Sequence, residues 1–173
     1  MAEMMIFDIP EDVHVLAGIG TIALRHEQMN YAMRMTIKTL AHIEIKEALD
    51  ATAHAGSSEL RQRVRKLSKQ RLGEGQALLK LQALIERCRR ATEERNDVVH
   101  SVVARELDGD FRRKDTDHRW QTLPTITALE ALASQILGLT KELNDARLEG
   151  FLADALVKPS GGSSEPGRHP QQT

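Results

Sequence analysis

The chain has little of what marks the commoner kinds of site. Its single cysteine, Cys88, excludes an internal disulfide framework and a cysteine-rich zinc centre. Three Phe, one Tyr and one Trp are too few for a β-sandwich core or for an aromatic platform that stacks single-stranded bases. No apolar run approaches the roughly 20 residues needed to span a bilayer. The first residues lack the basic start and apolar centre of a signal peptide. A glycine-rich phosphate loop and a nucleophile elbow are also missing, which argues against a nucleotide kinase or a serine hydrolase. With a formal net charge of -1 over 173 residues, a uniformly basic nucleic-acid coat is excluded. A soluble, cytoplasmic protein is expected.

What is abundant is helix-forming residues, and the apolar positions recur at helical spacing. Asp8, Pro10 and Glu11 read as a helix start, with Asp8 as N-cap. From there Val15, Ile19, Ile22, His26, Met29, Met33, Ile37 and Leu40 form one face of a long helix. His26 is the polar member of that stripe, with Glu27 and Asn30 beside it. A short helix is expected over 43–51. Ser57 and Ser58 would cap a second main helix ending at Gly73. A third runs over 76–106 on a seam of Leu78, Leu81, Ile85, Cys88, Thr92, Arg95, Val99 and Val102. Residues 108–124 read as an irregular charged connection. Thr127 and Glu130 form a capping box for a last helix that ends near Leu156. The fold class is therefore all-α, a bundle of four to five helices over residues 11–157. Residues 1–10 form a lead-in, and the Gly-, Ser- and Pro-rich stretch 158–173 is a disordered tail.

Charge is uneven. Residues 61–95 hold eleven Lys or Arg against four Glu, a net of +7 in a chain whose total is -1. Arg61, Arg65 and Lys69, with Arg87 and Arg90, are the candidates to meet a polyanion. The bland alternative is a solvated helix face, which charge runs usually are.

Where the third helix should be closing its apolar seam, the chain instead places Arg95, Asn96 and His100. Singly, each has an ordinary structural explanation: a snorkelling arginine, a surface asparagine, a hydrogen-bonded histidine. Together, an Arg followed by Asn, three residues and a His resembles the motif of the HEPN superfamily of helical nucleases and nucleotide-binding proteins. Only that six-residue motif is specific; the helical pattern would suit many bundles. The resemblance implies metal-independent cleavage of RNA with no cofactor, by attack of the ribose 2′-hydroxyl on the adjacent phosphate. Arg95, His100 and Asn96 would be the catalytic residues, with Glu27 on the first helix as a supporting group. It also implies a homodimer whose two motifs share one cleft, a toxin or defence role, and an antitoxin or other regulatory protein as a partner. A non-catalytic module of the same kind, binding RNA, a nucleotide or a protein, is the second expectation.

On a helix Arg95 and His100 point about 140° apart, whereas Asn96 and His100 share a face. Arg95 must therefore curl round to meet His100, or a second surface must close the site. A helical structural protein in which Arg95 and His100 merely complete the core is the third reading, and a di-iron carboxylate bundle is a further one. Glu11 and His14 have the Glu-x-x-His spacing and Asp97 and His100 nearly so, but Asp stands for Glu at 97 and the first pair falls in a helix's first turn.

Overall fold

The computed structural model describes residues 5–106, 109–114, 117 and 119–157. The expected tail at 158–173 lies outside them, as does His118. Six helices are described: α1 (Val13–Ala41), α2 (Ile45–Ala51), α3 (Ser57–Leu72), α4 (Gln76–Val99), α5 (Ile126–Leu148) and α6 (Phe151–Val157). Four short strands accompany them: β1 (Met5–Ile6), β2 (Val102–Glu106), β3 (Phe111–Lys114) and β4 (Trp120–Thr122). They form one antiparallel sheet in the order β1-β2-β3-β4.

The helical bundle is the expected one, and the sheet corrects the all-α reading. The apolar seam of the third helix continues in register through Val102, yet α4 stops at Val99 with His100 as its C-cap. Val102 and Val103 instead open a strand, as β-branched residues tend to, and pair with Lys114 and Arg113. Within the connection at 108–124, expected to be irregular, Phe111–Lys114 and Trp120–Thr122 are strands. Long cations cover its few aromatic rings. Arg105 lies over Phe111 at 5.9 Å and Lys114 over Trp120 at 5.8 Å.

Other boundaries move for identifiable reasons. The lead-in is held extended, with Met5 and Ile6 paired to Glu106 and Arg105. The N-cap of α1 is therefore Asp12, not Asp8; its carboxylate accepts from the backbone N–H of His14 (2.8 Å) and Val15 (3.4 Å). Gly56 is the N-cap of α3, because the Ser57 hydroxyl is committed elsewhere. Thr125, rather than Thr127, caps α5 through the N–H of Ala128 (3.2 Å). The last helix breaks at Glu149 and Gly150, so α6 is separate.

The core collects Ile22, Met29, Met33 and Leu40 from α1, Leu60 and Val64 from α3, Leu81, Ile85 and Cys88 from α4, and Leu129, Ile136, Leu139 and Leu143 from α5. Each such side chain contributes about 1.5–3 kcal/mol on burial. α1 packs most extensively on α5. At Gly18 a Cβ would come within 2.9 Å of Leu129 Cδ1, so glycine lets the two helices touch. No described helix is long and apolar enough to cross a membrane.

Candidate functional site

The site forms where the middle of α1, the N-terminal turn of α3 and the C-terminal end of α4 meet. α3 and α4 run antiparallel, since Arg61 reaches Thr92 while Arg65 reaches the earlier Glu86. This arrangement sets the N-terminal end of α3 beside the motif.

His100 is the hinge of the geometry. It leaves the helix at φ -102°, ψ 2°, while its backbone N–H still bonds to the carbonyl of Asn96 (3.0 Å). Freed from helical direction, the imidazole turns toward the half-buried Arg95, whose Nη1 lies 2.7 Å from His100 Nε2. The same Nη1 also donates to Asn96 Oδ1 (3.0 Å). The obstacle posed by the helical wheel is thus removed by ending the helix, within one chain. A guanidinium can only donate, so His100 Nε2 is an acceptor here and the ring proton sits on Nδ1.

The end of α4 is itself tied down. Its last turn holds no basic residue, and the charge that the carbonyl end of a helix favours comes from β3 instead. Arg113 Nη1 donates to the carbonyl of Asp97 at 2.7 Å. The Val103–Arg113 strand pairing makes this contact possible.

Beneath the motif lies a polar cluster centred on the buried His26, Asn30, Arg61 and Thr92. His26 is 3% exposed and its Nε2 lies 3.3 Å from Thr92 Oγ1 and 3.5 Å from Ser57 Oγ. Both hydroxyl protons are already used, Thr92's on the Cys88 carbonyl (2.8 Å) and Ser57's on Asn30 Oδ1 (2.9 Å). Nε2 of His26 must therefore carry its own proton and donate. Nδ1 is then a buried acceptor with no hydrogen-bond partner, 3.8 Å from the carboxylate of Glu27. Burial above all, then the positive field of Arg95, pushes His26 down to about 4, with Glu27 pulling the other way and Arg61 and His100 adding to the depression. His26 is neutral at pH 7.

Arg61 is 9% exposed, and its one hydrogen bond within the described residues is from Nη1 to Thr92 Oγ1 (3.2 Å). Burial first, then Arg65, lowers its pKa from the ordinary value. Arg95 Nε is likewise buried and unpartnered. Among the described residues neither Arg61 nor Arg95 has a carboxylate within ion-pair distance. Positive charge with spare donors is therefore concentrated between α3 and α4, beside an exposed imidazole. Such an arrangement can hold an oxyanion.

The remaining candidates fall in different places. Glu27 is on α1 beside the cluster, accepting from Asn30 Nδ2 (3.1 Å). Arg65 is paired with Glu86 at 3.1 Å. Lys69 is exposed and lies about 12 Å farther along α3 than Arg61. Arg90 and Arg87 lie one to two turns before Arg95 on α4, turned about 140° and 80° round the helix from it, in a pocket with Gln135 and Leu139 of α5. The structure does not bring these two to the motif. Arg87 is also bound by Glu142 through two contacts of 2.5 and 2.8 Å. Ser57 and Thr92, read from sequence as a cap and a seam residue, are the hydroxyls that organise the cluster. Cys88 is buried and its thiol is pushed up to about 12 by burial, so it is a packing residue without thiolate chemistry at neutral pH.

No described group of three or more His, Cys, Asp or Glu side chains gathers to hold a metal ion. His14 lines a cavity of about 510 Å³ between α1 and α5 instead, with Thr21, Arg25 and Glu130. No protein-family model, curated protein or solved structure matches the chain.

Proposed function

We propose that this protein is a HEPN-like endoribonuclease that cleaves RNA without a metal, working as a homodimer with Arg95, Asn96 and His100 at its reacting centre. The observation that carries the reading is the pair of arginines, Arg61 and Arg95, that lack a carboxylate beside an exposed His100 whose Nε2 is an acceptor. The scissile phosphate seats against Arg95, whose fixed charge meets the negative charge that develops on the phosphorane. As the phosphate draws the Arg95 guanidinium off it, His100 Nε2 has its lone pair free and takes the proton of the 2′-hydroxyl as that oxygen attacks phosphorus. The bond to the 5′-oxygen breaks, leaving a cyclic 2′,3′-phosphate on one product and a 5′-hydroxyl, which takes up a proton, on the other. Asn96 holds the Arg95 guanidinium at the reacting centre, and Arg61 with Arg65 and Lys69 carries the strand onward along α3.

The test is cleavage of a short RNA in the presence of EDTA by the wild type, Arg95→Ala and His100→Ala. Wild-type activity with loss of about 10²–10⁴-fold in each folded variant is the expected result. A folded wild type that leaves RNA intact overturns the nuclease reading. If it still binds RNA through Arg61 and Arg95, the second reading stands, a non-catalytic module that binds RNA or a nucleotide. The unpaired guanidiniums favour either outcome equally, because they complement a bound phosphate whether or not it is cleaved. A toxin or defence role under control of an antitoxin follows from the resemblance alone and would be tested by expression in growing cells.

A further inference from the structure

The small sheet has two unlike faces. In antiparallel pairs, residues directly opposite one another project to the same side, so Val103, Arg105, Phe111, Arg113 and Gln121 share one face. That face is turned to the bundle. Arg113 grips the Asp97 carbonyl at the end of α4, and Arg105 and Phe111 border a cavity with Val15 of α1. The other face carries Val102, Lys114 and Trp120 in one row across β2, β3 and β4, with Ala104, Arg112 and Thr122 in the next. These two rows hold two cations and no carboxylate. Ala104, which is buried, is the short residue among longer ones.

The first row begins at the motif. Val102 is separated from His100 by Ser101 alone and is 47% exposed. Neighbouring strands lie about 4.8 Å apart, so Trp120 stands about 10 Å across the sheet from Val102. β4 is the sheet edge, with no further strand beside it among the described residues. Trp120 is half-buried there, and Thr122, next to it along the same face, is exposed. Lys114 Nζ lies 5.8 Å from the indole centroid. A cation on one side of an indole leaves the other side for a planar base. The row therefore runs from an imidazole, past an ammonium, to an aromatic ring, which is the order in which one strand would meet a proton acceptor, a phosphate partner and a stacking surface.

We infer that this face of the sheet is a base-binding site for the RNA strand, with one base stacked on Trp120 and Lys114 meeting a phosphate beside it. The inference rests on the reading of the ligand as RNA and not on its cleavage. Five aromatic residues are too few for a platform, but a single base needs a single ring. Stacking accepts any base, so the contact fixes which phosphate of the strand lies at Arg95 rather than which sequence is cut.

Trp120 is the chain's one tryptophan, so its fluorescence reports this site alone. The full wild-type chain is titrated with oligodeoxyuridylate, which keeps bases and phosphates but has no 2′-hydroxyl to attack, and with inorganic polyphosphate, which has no bases. Anisotropy of a labelled oligomer follows binding in parallel. The oligomer should quench the tryptophan saturably, and polyphosphate should not. Trp120→Ala should weaken oligomer binding by about 5–150-fold, the loss of one stacked base, and Trp120→Phe should recover most of it. Lys114→Gln should lower the salt dependence by about one phosphate contact. An oligomer that binds without changing the fluorescence overturns the inference. So does one that fails to bind, one that binds Trp120→Ala as tightly as the wild type, or polyphosphate that quenches equally well. If the tryptophan is silent while the wild type cuts RNA, the nuclease reading stands and the stacking site falls. If the oligomer quenches while RNA is left intact, the nuclease reading falls and the stacking site stands.

Discussion

α3 and α4 carry two populations of arginine. Arg63 is clamped by Glu59 at 2.6 Å, Arg65 by Glu86 at 3.1 Å, Arg87 by Glu142 at 2.5 Å, and Arg89 by Glu86 and Glu93. These are half-exposed surface pairs, the kind that contributes little to stability. Arg61 and Arg95 share the same two helices and have no carboxylate partner, although Arg61 is the most buried of them all. A folding chain gains nothing from burying an unneutralised guanidinium, because desolvation is left uncompensated. The charge runs therefore divide by partner rather than by density. Where carboxylates interleave, the charge belongs to the surface; Arg61 and Arg95 differ from the exposed Arg71 and Arg90 in being buried or half-buried without a carboxylate among the described residues.

The most direct way to break this contrast is to give Arg95 what Arg87 already has. Asn96→Asp puts a carboxylate at the position whose amide oxygen now accepts from Arg95 at 3.0 Å. The fold should survive, since Asn96 is only half-buried at the end of α4. Cleavage should fall by about 10²–10³-fold, the loss typical of removing one oriented donor from developing negative charge. Unchanged turnover in a folded Asn96→Asp protein would mean that the free charge on Arg95 is not what the chemistry uses.

His26 sharpens the same contrast through pH. Its pKa falls from the ordinary 6.5 to about 4 in the folded chain, so between those values the unfolded chain binds more protons than the native one. Stability is therefore full above pH 6.5, declines as the pH drops from 6.5 to 4, and levels off below. The linked loss is roughly 3 kcal/mol. Urea titrations at intervals across that range should show it, and His26→Gln should flatten this component. Saturating inorganic phosphate should reduce the decline in the wild type, because an anion at Arg61 and Arg95 cancels part of the field that disfavours the imidazolium. A slope that phosphate leaves untouched would separate His26 from the arginines.

The bundle was legible because α1, α4 and α5 repeat apolar residues at helical spacing over five or more turns, and Gly73 stops α3 where it stands. What failed was local. Val99 and Val102 continue the seam of α4 in register, so periodicity carries the helix through His100, and only the pairing of Val102 and Val103 with β3 ends it. That pairing is between residues about ten apart, and the single-residue alternation of a five-residue strand is too short to compete with a six-turn helical pattern. The juxtaposition of Arg95, Asn96 and His100 was readable as a motif but not as a geometry. It depends on a C-cap conformation and on Arg113 gripping the Asp97 carbonyl. The basic residues were legible as a run, whereas their division into paired and unpaired required partners from other helices, Glu142 on α5 above all.

That division supplies the mildest test. Arg61→Met keeps an unbranched side chain of similar length at a buried position and removes a charge that burial opposes. In the absence of anion it should be neutral or stabilising by about 1–2 kcal/mol. Arg87→Met should instead lose a half-exposed ion pair and cost no more than about 1 kcal/mol. Phosphate is expected to raise the melting temperature of the wild type and of Arg87→Met alike, and to leave Arg61→Met close to its anion-free value. The two substitutions are chemically identical, and Arg61 on α3 and Arg87 on α4 sit on neighbouring, packed helices. If Arg61→Met were destabilising and still responded to phosphate, Arg61 would be an ordinary structural residue and the anion would belong to Arg95 alone. The expected opposite signs, stability gained with binding lost at 61 and stability lost with binding kept at 87, are what a position reserved for a ligand produces.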